Sequence, residues 1–369
     1  MKNKQLVVFM PSIEGGGVEK NLFIITNFLK NKLKNVSLIT VSKKHRNKFK
    51  KIKIYSPYFN FWDNCGRRIK YIVSLLILIK ILIKNRNIAV LAFQANLYCT
   101  IICKLFNVKI IIRSNSSPSG WSNNFIKKII YKNLLKFADK IIVNSIEFKK
   151  EFKKKFNVNS VCIYNPLDKE SIIKNSKKNI KSNFFLNKEK CIKIINVARF
   201  TDQKDHMTLL KALNMIKDKI QFKAIIIGRG VNRIKMDNFI KTNNLKKKIK
   251  IINFLDNPFP FIAKSDLFIL SSKFEGLPNV LLEAATLKKA VISTNCSTGP
   301  KEILDNGKGG LLFKIGDYKN LSKKIEFFVN NKTIINKKIL HAFKMLYRFD
   351  YHKNLNKYLD LIRIELSKD

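Results

Sequence analysis

The sequence predicts an α/β protein with two doubly wound parallel sheets, and three observations support this fold class. The chain has 369 residues, and at about 150 residues per domain this length suggests two domains. Short apolar runs alternate with helical patterns in both halves, which is typical of parallel sheets. A polar segment rich in lysine and asparagine, residues 168–190, separates the two halves.

The first half begins with an apolar run at 6–10, which is typical of a buried parallel strand. Pro11, three glycines at 15–17 and a helical pattern at 18–29 follow it. Further strands are predicted at 36–41, 88–93, 109–113 and 140–144, with helices between them, including one at 125–137.

The helix predicted at 69–83 is the most apolar stretch of the chain. Lys70 and Lys80 interrupt it, and a membrane-spanning helix needs about 20 apolar residues. We therefore expect a buried or interface helix. An amphipathic helix that rests on a membrane is the alternative, because its basic flanks suit anionic headgroups.

The second half repeats the alternation of strands and helices. Strands are predicted at 192–197, 223–227, 250–254, 266–270 and 290–293, and helices at 207–216, 236–242, 278–287 and 320–328, with a helical pattern from 331 to 366. We expect an N-terminal domain at 1–167, a linker at 168–190, a second domain at 191–345 and a C-terminal helical segment at 346–369 that packs back toward the first domain.

The charge of the chain is strongly positive. Lysine and arginine number 73 against 25 acidic residues, which gives a net charge of +48. Such a field attracts nucleic acid, anionic lipid or phosphorylated substrates. Lysine, isoleucine and asparagine share A/T-rich codons, so genome composition explains part of the charge. Genome composition alone, or genome composition together with binding of an anionic surface partner, can account for the charge, and both explanations stay open.

Cysteine and histidine give no indication of a metal centre. The six cysteines form no Cys-x-x-Cys pair and there are four histidines, so a zinc site is not expected. The first apolar run is too short for a secretory signal. We expect a cytoplasmic protein with reduced thiols.

Two groups of residues follow predicted strands, where α/β sheets bind ligands. Arg199 and Lys204 come after the strand at 192–197, and two cations on one loop can hold a diphosphate. Glu275 precedes a helix that begins near Pro278, and Glu283 lies inside it. Carboxylates accept hydrogen bonds from sugar hydroxyls, or they complement the helix dipole.

The helix start and the glycine turn are two further candidate sites for an anion. The N–H groups near Asn279 and Val280 can meet a phosphate. Gly15, Gly16 and Gly17 lie between a strand and a helix, where the backbone can approach an anion. A tight turn explains the three glycines equally well.

These motifs resemble those of retaining glycosyltransferases. The chain contains Arg199 and Lys204, then Gly228-Arg-Gly, then Ser271-x2-Phe-Glu-Gly-Leu-Pro-Asn-Val-Leu-Leu-Glu283, then Gly299-Pro-x-Glu302 in the order of that class. The chain resembles glycosyltransferase family 4 (glycosyl transferases group 1), which has the GT-B fold. The resemblance covers the C-terminal half, and the glycine turn with Asn165-Pro166 extends it.

The resemblance implies two Rossmann-like domains that face each other across a cleft. The C-terminal domain would bind a nucleotide-diphosphate sugar and the N-terminal domain the acceptor. Arg199 and Lys204 would neutralise the diphosphate, Glu275 would hold the sugar hydroxyls, and Glu283 would bind the ribose. Gly16, Gly17, Gly228, Asn279 and Val280 would complete the donor site. The chain has no Asp-x-Asp motif, so no metal or other cofactor is expected.

The acceptor is not encoded by a motif. Many relatives carry a histidine after the strand at 109–113, where this chain has Arg113-Ser-Asn115-Ser-Ser. Arg113 or Asn115 would take the place of that histidine at the donor sugar. The sequence Ser297-Thr-Gly-Pro-Lys-Glu-Ile-Leu around Gly299 resembles that of bacterial enzymes that build surface polysaccharides. We expect a UDP- or GDP-sugar donor and a glycan acceptor, with a polyprenyl-diphosphate-linked acceptor at the inner face of the cytoplasmic membrane favoured over a soluble one.

Two other functions stay open at this stage. A nucleotide-sugar 2-epimerase shares the two-domain fold, but the two glutamates with Arg199 and Lys204 disfavour it. A nucleic-acid-binding protein is supported by the charge alone, because the lysines are spread along the chain. We therefore expect no nucleic-acid partner.

Overall fold

The computed structural model describes residues 4–115, 125–180, 183–185 and 191–367. Contacts divide the chain into two compact units. The first unit comprises Met1–Pro166 and Tyr351–Asp369, and the second comprises Leu167–Asp350. Each unit is built on a parallel sheet, as the sequence predicts.

The described residues of the first unit form a seven-stranded sheet in the order β3-β2-β1-β4-β5-β6-β7. The central strands are almost completely buried because valine, isoleucine and leucine face helices on both sides. The strands are β1 (Gln5–Phe9), β2 (Val36–Ile39), β3 (Lys53–Tyr55), β4 (Ile88–Ala92), β5 (Lys109–Ser114), β6 (Lys140–Val143) and β7 (Val161–Cys162).

Helices cover both faces of this sheet. They are α1 (Gly17–Lys32), α2 (Arg67–Lys84), α3 (Asn96–Leu105), α4 (Phe125–Lys136) and α5 (Ile146–Phe156). The C-terminal helix (Tyr351–Ser367) belongs to the same unit, and its Leu355, Tyr358 and Ile362 are buried in the core beside β1 and α1. The helix predicted at 125–137 and the apolar helix predicted at 69–83 are both present.

The described part of the second unit forms a six-stranded sheet in the order β10-β9-β8-β11-β12-β13. Every pairing is parallel. The strands are β8 (Ile192–Val197), β9 (Phe222–Gly228), β10 (Ile249–Asn253), β11 (Leu267–Leu270), β12 (Ala290–Thr294) and β13 (Leu311–Phe313). The helices are α6 (Lys169–Ser176), α7 (His206–Met215), α8 (Arg233–Thr242), α9 (Phe259–Lys264), α10 (Asn279–Thr286), α11 (Pro300–Ile303), α12 (Tyr318–Asn330) and α13 (Lys332–Lys344).

The segment predicted as a linker contains α6. Asp168 caps this helix by accepting a hydrogen bond from the Ser171 backbone N–H, and Ile172 is buried. The Asn257 side chain donates to the Asn175 carbonyl oxygen at 3.0 Å. Residues 181–182 and 186–190 of the predicted linker lie outside the described residues.

The second unit also extends beyond residue 345. A short helical turn at Met345–Phe349 buries Leu346 and Phe349. The Leu167 N–H donates to the Phe349 carbonyl oxygen at 2.9 Å. The two ends of the unit therefore meet, which places its end five residues after the predicted one.

Candidate functional site

The order of the second sheet places a ligand-binding edge between β8 and β11. The chain runs outward from β8 through β9 to β10 and then returns to β11 on the other side of β8. After β8 and β11 the chain proceeds in opposite directions along the sheet, and such switch points are where open α/β sheets bind ligands. Arg199 and Lys204 are on the first of these loops and Glu275 is on the second.

Hydrogen bonds hold the two loops together. The Ser271 hydroxyl donates to the Lys204 carbonyl oxygen at 3.1 Å, and the Lys273 N–H donates to the Gln203 carbonyl oxygen at 2.8 Å. The Gln203 side chain donates to the Phe274 carbonyl oxygen at 2.9 Å. The position of Lys204 relative to Glu275 is therefore fixed by the backbone of both loops.

Lys204 and Glu275 form a largely buried ion pair. Lys204 Nζ lies 2.5 Å from Glu275 Oε1, and the Ser272 hydroxyl donates to the same oxygen at 2.6 Å. Both interactions fall on Oε1. Within the described ranges no group donates to Oε2, which leaves that oxygen as an acceptor for a substrate hydroxyl.

The loop after β12 supports Glu275 from the other side. The Thr298 hydroxyl donates to the Glu275 carbonyl oxygen at 2.6 Å. Gly299 has a φ of +77°, and a Cβ there would lie 1.8 Å from the Gly276 carbonyl oxygen. The glycine of the Gly-Pro-x-Glu motif is therefore required by the packing of one loop on the other.

Helix α10 starts directly beyond Glu275. Pro278 precedes it, and Asn279 and Val280 are its first residues. The first turn of a helix carries a positive partial charge that attracts anions. Glu283 lies one turn further along α10 and is buried. The structure thus brings Lys204 and Glu275 together beside the start of α10, and the roles of these groups stay predictions.

Arg199 and Gly228 lie on the neighbouring edge of the site. Arg199 is exposed after β8. The Ala198 and Phe200 N–H groups donate to the Ile227 and Arg229 carbonyl oxygens at 3.0 and 2.8 Å. A Cβ at Gly228 would lie 1.9 Å from the Ala198 oxygen. This close approach explains the glycine, and its contact with a donor stays a prediction.

Two buried residues beside the ion pair were not found from the sequence. Burial first, and the charge of Lys204 second, lower the pKa of His206 to about 4, and its ring packs edge-on to Phe200. Burial first, and the charge of Glu275 second, raise the pKa of Cys296 to about 12. Both groups are neutral near pH 7, and neither residue is part of a motif that indicates its position.

The glycine turn of the first unit lies at the carboxyl end of β1, beside β4. Gly15 has a φ of +81°, so the turn requires glycine at that position. Gly16 and Gly17 are exposed where α1 begins. The Arg67 guanidinium binds Glu14 at 2.6 Å, and this hydrogen bond lowers the pKa of Glu14.

Arg113, considered in place of the family's histidine, lies in the core of the first unit. It is fully buried. Its Nε donates to the Tyr358 hydroxyl at 2.8 Å and its Nη2 to Asn165 Oδ1 at 2.7 Å. Arg113 therefore anchors the C-terminal helix to β5 through Nε and Nη2, and its role toward the donor sugar stays a prediction. Asn115 donates to the Phe93 carbonyl oxygen at 2.9 Å, and residues 116–117 lie outside the described residues.

The described residues offer neither a metal centre nor a membrane-spanning helix. They contain no group of three or more histidine, cysteine, aspartate or glutamate side chains arranged to hold a metal ion. In the same ranges every helix falls short of the length and apolarity needed to cross a bilayer.

Comparison with known proteins identifies the relatives of the chain. Residues 177–345 match the model of the family glycosyl transferases group 1. Over 214 residues the chain is 33% identical to an uncharacterized glycosyltransferase of Methanocaldococcus jannaschii. This match covers 54% of this chain and 51% of the relative. It is 29% identical over 230 residues to the Campylobacter jejuni N-acetylgalactosamine-N,N'-diacetylbacillosaminyl-diphospho-undecaprenol 4-alpha-N-acetylgalactosaminyltransferase, covering 59% of this chain and 60% of that enzyme.

The fold is also found in solved structures. The crystal structure of Anabaena HepE in complex with UDP and glucose matches with a TM-score of 0.79 and 17% identity, over 98% of this chain and 99% of that one. The matched part of the chain spans about half the length of the first sequence relatives. These findings confirm the predicted resemblance to glycosyl transferases group 1 and the GT-B fold class.

Proposed function

We propose that the protein is a retaining glycosyltransferase that transfers a hexose or N-acetylhexosamine from a UDP- or GDP-sugar to a glycan acceptor. The observation that carries the proposal is the buried Lys204–Glu275 pair at the switch point of the second sheet. The family match of residues 177–345 covers this site.

The proposed chemistry depends on charge stabilisation at the leaving group. When the bond between the anomeric carbon and the diphosphate breaks, negative charge develops on the diphosphate. Arg199, Lys204 and the N–H groups at Asn279 and Val280 would stabilise that charge, because fixed donors in a partly dry site act strongly in the transition state. The acceptor oxygen would bond to the same face of the sugar, and its proton would pass to the leaving phosphate oxygen.

The carboxylates would hold the rest of the donor. Glu275 Oε2, which has no donor within the described ranges, would accept a hydroxyl of the transferred sugar. Glu283, buried one turn into α10, would bind the ribose hydroxyls. Gly228 would line the donor site in the second unit. We propose a metal-independent reaction, since the chain lacks an Asp-x-Asp motif.

The acceptor is proposed to be a lipid-linked glycan at the inner face of the cytoplasmic membrane. The Campylobacter jejuni relative is named for an undecaprenyl-diphosphate-linked acceptor, which supports this class. The protein would act there as a peripheral enzyme of surface-polysaccharide or lipopolysaccharide synthesis, attracted by an anionic membrane surface. Nucleic acid is not a proposed partner.

A thermal-shift panel tests the donor proposal. UDP-GlcNAc, UDP-GalNAc, UDP-Glc, UDP-Gal, GDP-Man, UDP and GDP are added separately to the full chain. A ligand that binds the native state raises its stability by RT ln(1 + [L]/Kd). We expect one nucleotide class to raise the midpoint. No shift with any of them would contradict the donor proposal, and interconversion of a nucleotide sugar without an acceptor would favour the epimerase.

A further inference from the structure

The outer face of α2 is apolar along its length. Ile69, Ile72, Leu76 and Ile83 are spaced three, four and seven residues apart, which places them on one stripe. The exposed fractions of the last three are 59%, 60% and 67%. The opposite side of α2 is also apolar and buries Leu78 against the first sheet. Helix α2 therefore has a second apolar face, which does not pack against the first sheet.

Helix α3, which contacts α2, adds a second exposed stripe. Tyr98, Ile101 and Leu105 are spaced three and four residues apart and are exposed, Leu105 by 78%. Side chains at this spacing lie on one side of a helix. The described surface of the first unit thus presents apolar side chains on two neighbouring helices.

An aromatic segment directly precedes α2 in the chain. The rings of Tyr58, Phe59 and Phe61 are exposed, and they contact each other with centroids 5.4 and 6.1 Å apart. Asp63 follows them and lies 3.8 Å from Lys70 in the first turn of α2. We call the exposed residues of this segment, α2 and α3 the apolar face.

Cations border the apolar face, and acids are missing from its helices. Neither Arg67–Lys84 nor Asn96–Leu105 contains aspartate or glutamate. Arg68, Lys80 and Lys84 are exposed. Arg68 is four residues before Ile72 and Lys80 is three residues before Ile83, so each lies beside the α2 stripe. Glu14, Asp63 and Asp139 of neighbouring segments pair with other cations of these two helices, so the excess charge at the border of the face is positive.

We propose that the apolar face binds the surface of an anionic phospholipid bilayer. Its aliphatic and aromatic side chains would enter the boundary between headgroups and acyl chains, and the bordering cations would meet the lipid phosphates. Exposed apolar patches of this kind mark interaction sites. A second copy of the chain fits poorly, because two faces with the same excess of positive charge at their borders repel each other.

This inference rests on the proposed function and deepens it, since the enzyme would meet a lipid-linked acceptor at the membrane that the apolar face binds. The binding itself needs neither donor nor acceptor. Vesicle binding and the nucleotide thermal shift can therefore succeed or fail separately, and the two results distinguish failure of the surface from failure of the transfer activity.

The test is cosedimentation of the full chain with vesicles of phosphatidylcholine, with and without phosphatidylglycerol. We expect binding to the anionic vesicles that is weakened by salt. Ile72→Asn combined with Leu76→Asn should weaken it at least about tenfold, because each buried methylene contributes to partitioning. The matched control is Ile234→Asn with Leu340→Asn, two exposed residues of the second unit, which should bind like the wild type.

A charge series tests the cations separately. Replacing Arg68, Lys80 and Lys84 with glutamine should weaken binding about fivefold for each cation. Glutamine at Lys241, Lys246 and Lys247, which are exposed in the second unit, changes the net charge equally and should have a smaller effect.

Three outcomes would overturn the proposal. The first is equal binding to neutral and anionic vesicles, and the second is equal loss in the apolar-face and control variants. The third is a wild-type dimer that Ile72→Asn with Leu76→Asn converts to a monomer, which would assign the face to a second copy. An unchanged nucleotide thermal shift in the apolar-face variant shows that its fold and donor site are intact.

Discussion

Replacement of Lys204 by methionine tests the ion pair on which the site is built. Methionine keeps most of the side-chain volume and removes the charge, so Glu275 is left with the Ser272 hydroxyl as its side-chain donor. Breaking a fully buried pair costs about 3–5 kcal/mol. Here the Lys204 and Glu275 side chains are 15% and 6% exposed, so we expect the free energy of unfolding to fall by about 2 kcal/mol.

The double variant separates the pair from the individual residues. Lys204→Met with Glu275→Gln contains no unpaired charge, so it should be more stable than Lys204→Met alone. The interaction energy from the four proteins should be about 1–2 kcal/mol, above the roughly 0.5 kcal/mol expected for independent sites. Chemical denaturation of the wild type, both single variants and the double variant measures it. If the two single changes in unfolding free energy add to within about 0.5 kcal/mol of the double change, the interaction between Lys204 and Glu275 is refuted.

Catalysis provides the second measurement on the same variants. Lys204→Met removes a fixed positive charge from the proposed leaving-group site, and loss of one such contact lowers turnover by about 10²-fold or more. The double variant should regain stability without regaining turnover. A double variant as active as the wild type would refute the assignment of Lys204 and Glu275 to the reaction.

Three further predictions concern residues around this pair. Glu283→Gln should weaken nucleoside-diphosphate binding about tenfold, measured by calorimetry with Glu326→Gln as the control. Gly299→Ala should lower the thermal midpoint by several degrees, because its Cβ would lie 1.8 Å from a carbonyl oxygen at a φ of +77°. Native His206 has a pKa of about 4 against an ordinary 6.5, so the unfolded state binds its proton first and stability falls as the pH drops from 6.5 to 4. The loss should approach about 3 kcal/mol, and His206→Phe should remove most of this pH dependence in denaturation curves.

The parts predicted well from the sequence are those with strong local patterns. Strands β4 and β11 are continuous apolar runs, and β1 is one after Gln5. Both faces of these strands are covered, and such runs are recognisable without knowing their partners. Lys204 and Glu275 could be placed at one edge because residues that follow parallel strands share the carboxyl end of the sheet.

The parts that were missed depend on contacts distant in sequence. The edge strands β3, β7 and β13 are two or three residues long, too short to show a period. Helix α6 is polar and buries Ile172 alone, so its sequence shows no periodic pattern of apolar residues. The burial of Arg113 follows from Tyr358, which lies 245 residues away, so no local pattern could indicate it.

The most direct measurement is calorimetric titration with the nucleoside diphosphate that gives the largest thermal shift. Wild type and Lys204→Met would be titrated under the same conditions. The account predicts one site on the wild type and affinity at least about tenfold lower in the variant, since a charged contact to phosphate is lost. Equal affinity in the two proteins, or no binding to the wild type, would contradict a donor site at the switch point of the second sheet.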